Sequence, residues 1–199
     1  MRKIISKQED KKKEKRNQII VGVALLFLML TSAIAYSLNN ASETSSQTIT
    51  YNGMKFTKKD NVWNLQKGDY TFYFFYSPRE TQELNVSLVL GVNSSLNLLN
   101  KYSNKPIYIS SSINEVNAEI YQNLVNTGIV TRMQYACLNG TECNGDYPIK
   151  TCEDNFIIVR EANSSSIKQE GNCVTIEGKT EDLLKTTDEF LFRVLEIKK

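Results

Sequence analysis

The longest unbroken apolar pattern covers residues 19–36, IIVGVALLFLMLTSAIAY, inside an uncharged span from Asn17 to Ser42. A helix needs about 17 to 25 residues to cross the ~30 Å hydrocarbon core, and it satisfies its backbone polar groups without water. The pattern therefore predicts one transmembrane helix at residues 19–38, a signal anchor embedded in the lipid bilayer. Ala33-Ile34-Ala35 is also an A-x-A pattern, so a secreted protein cleaved after Ala35 is the competing expectation.

Residues 39–50, NNASETSSQTIT, are polar and lack apolar periodicity, which predicts a linker. Residues 51–199 then form one domain of a size that buries a respectable core. Within it, 51–57 and 62–66 read as strands joined by a turn at 58–61. The run 70–76, YTFYFFY, places Tyr70, Phe72, Phe74 and Tyr76 on one face and Tyr73 and Phe75 on the other. It reads as an interior strand covered on both faces, ended by Pro78. A stacking platform for a sugar or peptide is the functional alternative for these rings.

Residues 84–90 are compatible with a strand and 95–100 with a short helix. A clearer unit follows: a strand at 106–110, a helix, and a strand at 129–135. Ser112 and Glu115 have capping-box spacing at the helix start, and Gly128 suits its end. Ile113, Val116, Ile120 and Leu124 form its apolar stripe, widened by Tyr121 and Val125. This order predicts a right-handed β-α-β crossover with parallel strands, without the Gly-rich turn that cradles a phosphate. Residues 156–161 read as a strand, 162–166 as a turn, and 167–177 as a strand returning beside the first, with a bulge at Gly171-Asn172. The chain closes with a helix capped near Thr180. Leu183, Leu184, Thr187, Phe190, Leu191, Val194 and Leu195 are its apolar face, with Glu181–Lys185 and Glu189–Arg193 at i,i+4 spacing and Lys198 and Lys199 at its end. Asp188 lies near that face and reads as a partnered structural carboxylate. The fold class expected is thus α/β, a mixed sheet with a β-α-β crossover and a C-terminal helix, preceded by one transmembrane helix.

Charge sets the orientation. The leader, residues 1–18, carries eight basic residues against Glu9, Asp10 and Glu14, whereas the near flank beyond the span carries Glu43 alone. By the positive-inside rule the N-terminus is cytoplasmic and the C-terminal domain outside. Removing the leader's eight basic and three acidic residues from the totals of 24 and 22 leaves 16 basic and 19 acidic. The outer domain is mildly acidic, which argues against a nucleic-acid partner.

Cys137, Cys143, Cys152 and Cys173 all fall in that domain, without C-x-x-C spacing, and the chain has no His. In an oxidising exterior an even set reads as disulfides. Of three connectivities, Cys137–Cys143 with Cys152–Cys173 is favoured, because the first pair brackets a turn-like loop at 138–142. Lack of His excludes Ser-His-Asp, Cys-His and HExxH chemistry. Carboxylate or Ser-Lys chemistry remains, but no local spacing pairs two carboxylates; Glu80 and Glu115 have structural explanations. No catalytic, cofactor-binding or metal-binding residue is assigned. Asn40, Asn85, Asn93, Asn139 and Asn163 begin N-x-S/T sequons, candidate glycosylation sites, although an Asn-, Ser- and Thr-rich chain produces some by composition alone.

The stretch 151–178, with TCEDNFIIVRE and NCVTIEG ahead of the final helix, resembles uncharacterised single-pass membrane proteins of archaea. The resemblance implies an envelope location and no activity. A basic leader before an apolar helix is also shared with type IV pilins, but the Gly before their cleavage point and the Glu early in their helix are absent here. The function expected is a membrane-anchored extracytoplasmic binding or assembly module with an envelope protein partner. A membrane-anchored carboxylate-dependent hydrolase and a thiol-disulfide exchange protein are the alternatives.

Overall fold

The structure is a computed structural model that describes residues 7–42, 47–91, 95–143 and 145–198. The chain divides into two units, Met1–Ser45 and Ser46–Lys199.

The first unit is one helix, α1 (Lys7–Ser42), longer at both ends than the span expected at residues 19–38. Its window Glu14–Ile34, 21 residues, is long and apolar enough to cross a membrane. Side chains such as Phe27 and Met29 are exposed.

The second unit begins earlier than expected. Thr48–Tyr51 is strand β1, so the end of the predicted linker is structured. Its Thr-Ile-Thr-Tyr alternation carries a strand signal that the Ser/Thr-rich composition around it hides. β2 (Met54–Lys59), β3 (Val62–Lys67) and β4 (Tyr70–Phe74) complete an antiparallel meander in the order β1-β2-β3-β4. The first two connections are two-residue turns, Asn52-Gly53 and Asp60-Asn61, with positive φ at both positions. That conformation matches the right-handed twist of the flanking strands. Register sets Phe56 opposite Leu65, Leu65 opposite Phe72, and Trp63 opposite Phe74, and all five are buried.

This overturns the expectation that β4 is an interior strand covered on both faces. β4 is an edge, and Tyr73 and Phe75 on its second face are exposed. Edge strands need their free backbone groups occupied. Asn123 does so: Tyr73 N donates to Asn123 Oδ1 (2.8 Å), and Asn123 Nδ2 donates to Tyr73 O (2.6 Å). Ser77-Pro78 does more than end the strand. Ser77 caps a short helix α2 (Pro78–Gln82) in a capping box with Glu80, with Pro at the first helical position.

A second sheet, of six strands, contains β5 (Ser87–Leu90), β6 (Pro106–Ser110), β7 (Arg132–Tyr135), β10 (Phe156–Glu161), β11 (Ser166–Glu170) and β12 (Cys173–Gly178), in the order β5-β11-β12-β10-β6-β7. Between them lie a short helix α3 (Leu99–Tyr102) and a two-stranded ribbon of β8 (Cys137–Leu138) and β9 (Ile149–Lys150). Neighbouring strands of the six-stranded sheet run parallel except β11 and β12, so it is mixed, as expected. The predicted single strand at 167–177 is instead a hairpin, and Gly171-Asn172 is its two-residue turn, not a bulge. Gly171 has φ +58, and a Cβ there would sit 3.2 Å from Cys152 O, so the turn needs glycine. β12, and not β11, lies beside β10, in parallel.

The crossover from β6 to β7 is present. Its helix α4 (Asn114–Ile120) continues into a π-helical turn, Tyr121–Val125. Val116, Ile120 and Leu124 are fully buried, but Tyr121 is exposed and does not widen the stripe. The expected capping box is also missing, because the helix starts at Ile113 as N-cap. Ser111 Oγ takes the Ile113 N–H instead (3.2 Å).

The C-terminal helix α5 (Leu183–Val194) follows a 3-10 turn, Thr180–Asp182. Thr180 does not cap it; its hydroxyl donates to Glu161 (2.6 Å). Glu189–Arg193 pairs as expected (2.9 Å), but Lys185 turns to Glu83 (3.6 Å) and not to Glu181. Lys199 lies outside the described residues. The main finding is that 186–192 are all buried, which one sheet cannot achieve for a helix. α5 packs on β11 and β12 with one side. With the other it pushes Phe192 against Phe74 (ring centroids 4.6 Å apart) and Phe56 (6.1 Å) of the meander. The core is therefore a helical layer between two sheets.

The disulfides join Cys137 to Cys143 and Cys152 to Cys173, with Cα–Cα distances of 5.6 and 4.9 Å. These are the pairs that the spacing favours. With sequence separations of 6 and 21, chain entropy assigns about 2 and about 3 kcal/mol to them. Replacing Cys152 and Cys173 by Ala is expected to lower the urea midpoint more than replacing Cys137 and Cys143; equal losses would contradict this.

Candidate functional site

Parallel α/β sheets leave a crevice beyond the carboxyl ends of their strands, where ligands gather. Here that crevice is a cleft of about 470 Å³ at the ends of β6 and β7. Ile109, Ala136 and Val159 form its apolar floor. Ser110, Ser111 and Ser112 line it from the turn between β6 and α4. Tyr135 and Tyr147 provide two exposed rings, with centroids 6.1 Å apart and planes at 41°. Glu142 is the charged group among the described lining residues.

Each element has a local cause. Tyr135 ends β7, and Asn117 Nδ2 of α4 donates to its hydroxyl (3.0 Å). Glu142 is carried by the loop that the Cys137–Cys143 disulfide closes. The Tyr147 ring lies over Gly145, where φ is +120 and a Cβ would come within 2.9 Å of Tyr147 Cε2, so the ring's place depends on glycine. The ribbon is tied to the sheet by Lys150, whose ammonium sits 4.2 Å from the centre of the Tyr108 ring. Sequence reasoning placed its aromatic platform at 70–76 instead. Tyr135 and Tyr147 are separated in the chain, and only the fold brings them together.

Two charged clusters lie inside the domain. Asp188 is a partnered structural carboxylate, as expected, and one of its partners is a second carboxylate, Glu119, which no local spacing pairs with it. Both are buried, Asp188 completely. Asp188 Oδ2 accepts the Tyr76 N–H (2.8 Å), and Asn123 Nδ2 donates to Glu119 Oε1 (3.3 Å). Asp188 Oδ1 has no donor among the described residues, and a proton held between the two acids would satisfy it. Burial, then the charge of Glu119 beside it, raises Asp188 well above the carboxylate range. Burial pushes Glu119 up to about 7, against the hydrogen bonds it receives. Enclosed in this way, the pair is out of a substrate's reach and holds α4, α5 and the end of β4 together.

The sign of its pH dependence follows from raised folded-state values. The folded protein keeps protons that the unfolded chain has released, so the pair's contribution is full below about pH 4.5 and is lost as pH rises through about 7. Between pH 5 and 8 stability should fall by on the order of 2 kcal/mol. Asp188→Asn, which supplies an amide in place of the shared proton, should flatten that slope in urea unfolding. A slope unchanged in the variant would contradict the shared proton. Glu177 acts oppositely. Burial alone would raise it, but hydrogen bonds from Lys168, Arg160 and Ser166 outweigh this and hold it at about 2, so its contribution is full above about pH 4.5 and is lost as pH falls through about 2.

The second cluster is Thr81, Glu189 and Lys198, all buried. Lys198 Nζ lies 2.5 Å from Glu189 Oε2 and 2.7 Å from Thr81 Oγ1, and Thr81 also donates to Glu189 (2.7 Å). Burial lowers the Lys198 pKa, partly offset by Glu189. A hydroxyl–lysine dyad would need a neutral amine and a reachable hydroxyl. Here the ammonium is ion-paired and the hydroxyl enclosed; Glu189 and Lys198 also line a cleft of about 690 Å³ beside Tyr51 and Arg193, and the cluster ties α2, α5 and the residues after α5 together.

Glu80 is accounted for by its cap: it accepts from Ser77 N (2.6 Å) and from Trp63 Nε1 (3.2 Å). Among the described residues no three His, Cys, Asp or Glu side chains converge as metal ligands do. Asn85, Asn139 and Asn163 are exposed, Asn93 lies outside the described residues, and Asn40 falls within α1. Compared with protein-family models, curated proteins and solved structures, the chain has no match.

Proposed function

We propose that this is a single-pass membrane protein, cytoplasmic at its N-terminus, whose disulfide-bonded domain stands outside the membrane as a binding or assembly module of the cell envelope. The observation that carries the reading is the cleft at the ends of β6 and β7, joined to an apolar helix of crossing length. Ligand sites combine an apolar floor with a few convergent polar groups, and this cleft has both. Two exposed tyrosines give contact area at low entropic cost, because each orders only two torsions. Two disulfides suit an oxidising compartment, and the leader's eight basic residues suit a cytoplasmic start. The exposed sequon residues Asn85, Asn139 and Asn163 are open to glycosylation there.

The test is photo-crosslinking in intact cells. A photoreactive phenylalanine derivative at position 147 should capture an envelope component, whereas one at Asp60, an exposed turn of the meander, should not. Equal capture from both positions, or none from 147, would contradict the reading.

A further inference from the structure

Resting on that reading, we propose that the cleft takes a neutral carbohydrate. The argument is the sign and direction of its polar groups. Glu142 is the charged residue among those described in the lining, and no Lys or Arg accompanies it, so a phosphate, sulfate or carboxylate ligand would meet repulsion. An ammonium ligand would want acceptors throughout. Two hydroxyls bring donors as well as acceptors. Ser111 Oγ already accepts the Ile113 N–H (3.2 Å), and the Tyr135 oxygen already accepts from Asn117 Nδ2 (3.0 Å). Each therefore keeps its own O–H, together with a second lone pair, for the cleft. Donors from Ser111 and Tyr135 with an acceptor in Glu142 match a ligand whose groups both donate and accept, as sugar hydroxyls do.

The apolar surface fits the same class. Sugar rings present a face of C–H groups, and these lie well against the electron-rich face of an aromatic ring. Tyr147 and Tyr135 offer two such faces at 41°, and the volume of about 470 Å³ lies in the range of small-ligand sites. Tyr147 packs over Gly145, where a side chain would meet the ring.

The test uses the full chain in phospholipid nanodiscs, so that no sugar-based detergent competes, with calorimetric titration of chitotetraose, cellotetraose and mannotetraose. Tetramethylammonium is the comparison probe. At least one oligosaccharide should bind, and Tyr147→Ala should weaken it about tenfold or more. Glu142→Gln and Tyr135→Phe should each weaken it about threefold to tenfold; the urea midpoint should hold in Glu142→Gln and fall in Tyr135→Phe, which leaves the buried Asn117 amide without its partner. Asp60→Ala should leave binding unchanged. Sugar binding that survives Tyr147→Ala overturns the proposal. So does binding of tetramethylammonium alone, or of no probe up to about 10 mM; in both cases capture from position 147 in cells keeps the binding reading, and its absence ends both.

Discussion

Phe192→Ala should lower the stability of the Ser46–Lys199 unit by about 3 to 5 kcal/mol, the range for emptying a fully buried aromatic site. Phe192 has no exposed surface, and its ring contacts Phe74 at 4.6 Å and Phe56 at 6.1 Å. It is the residue through which α5, packed on the larger sheet, also holds the meander. The loss has two parts: the transfer of the ring's area and the cavity left between layers that cannot close on one another. Trp63, the single tryptophan and itself buried in the meander, reports the transition by fluorescence. Tyr121→Ala, an exposed aromatic of the neighbouring crossover, should cost under about 1 kcal/mol. Equal costs would mean that α5 is not the central layer.

Lys198→Met should cost about 3 kcal/mol. The charge is enclosed with Glu189, and removing it leaves a buried carboxylate held on one side by Arg193 (2.9 Å) and facing Thr81 on the other. The loss comes mostly from what is left behind, not from the bridge itself, because desolvation offsets most of a buried pair's attraction. A second change, Glu189→Gln, should therefore recover stability in the Lys198→Met background and cost stability in the wild type. If both changes simply add, the three groups are not one internal cluster.

Much of the fold is legible in the sequence because it is written locally. The strands at 106–110 and 156–161 are found at their expected bounds, and the β-α-β unit follows from period-two runs flanking a period-3.6 stripe. What escapes is what depends on partners far along the chain. Periodicity shows one apolar stripe on α5, yet Thr186, Asp188 and Glu189 are buried too, because α4, α2 and the end of β12 cover the polar-looking side. Asp188 reads as partnered, but its partner is not legible, because Glu119 reaches it from α4, a pairing no spacing rule contains. Gly171-Asn172 suits a bulge and a turn equally, and the sheet order decides between them. α2 is missed although its signal is present: Ser77, Pro78 and Glu80 spell a capping box with proline at the first helical position. Of the cleft, the sequence supplies the disulfide loop, but the meeting of Tyr135 with Tyr147 is a product of topology alone.

The most direct measurement is labelling of intact cells with a membrane-impermeant amine reagent, followed by peptide mapping of the membrane fraction. Lys59 and Lys101, exposed in the outer domain, should be modified. Lys11, Lys12 and Lys13 of the leader should be recovered on the same membrane-bound chain without label. Labelled leader lysines with an unlabelled domain would reverse the orientation. A chain released from the membrane and starting just after Ala35 would remove the anchor altogether.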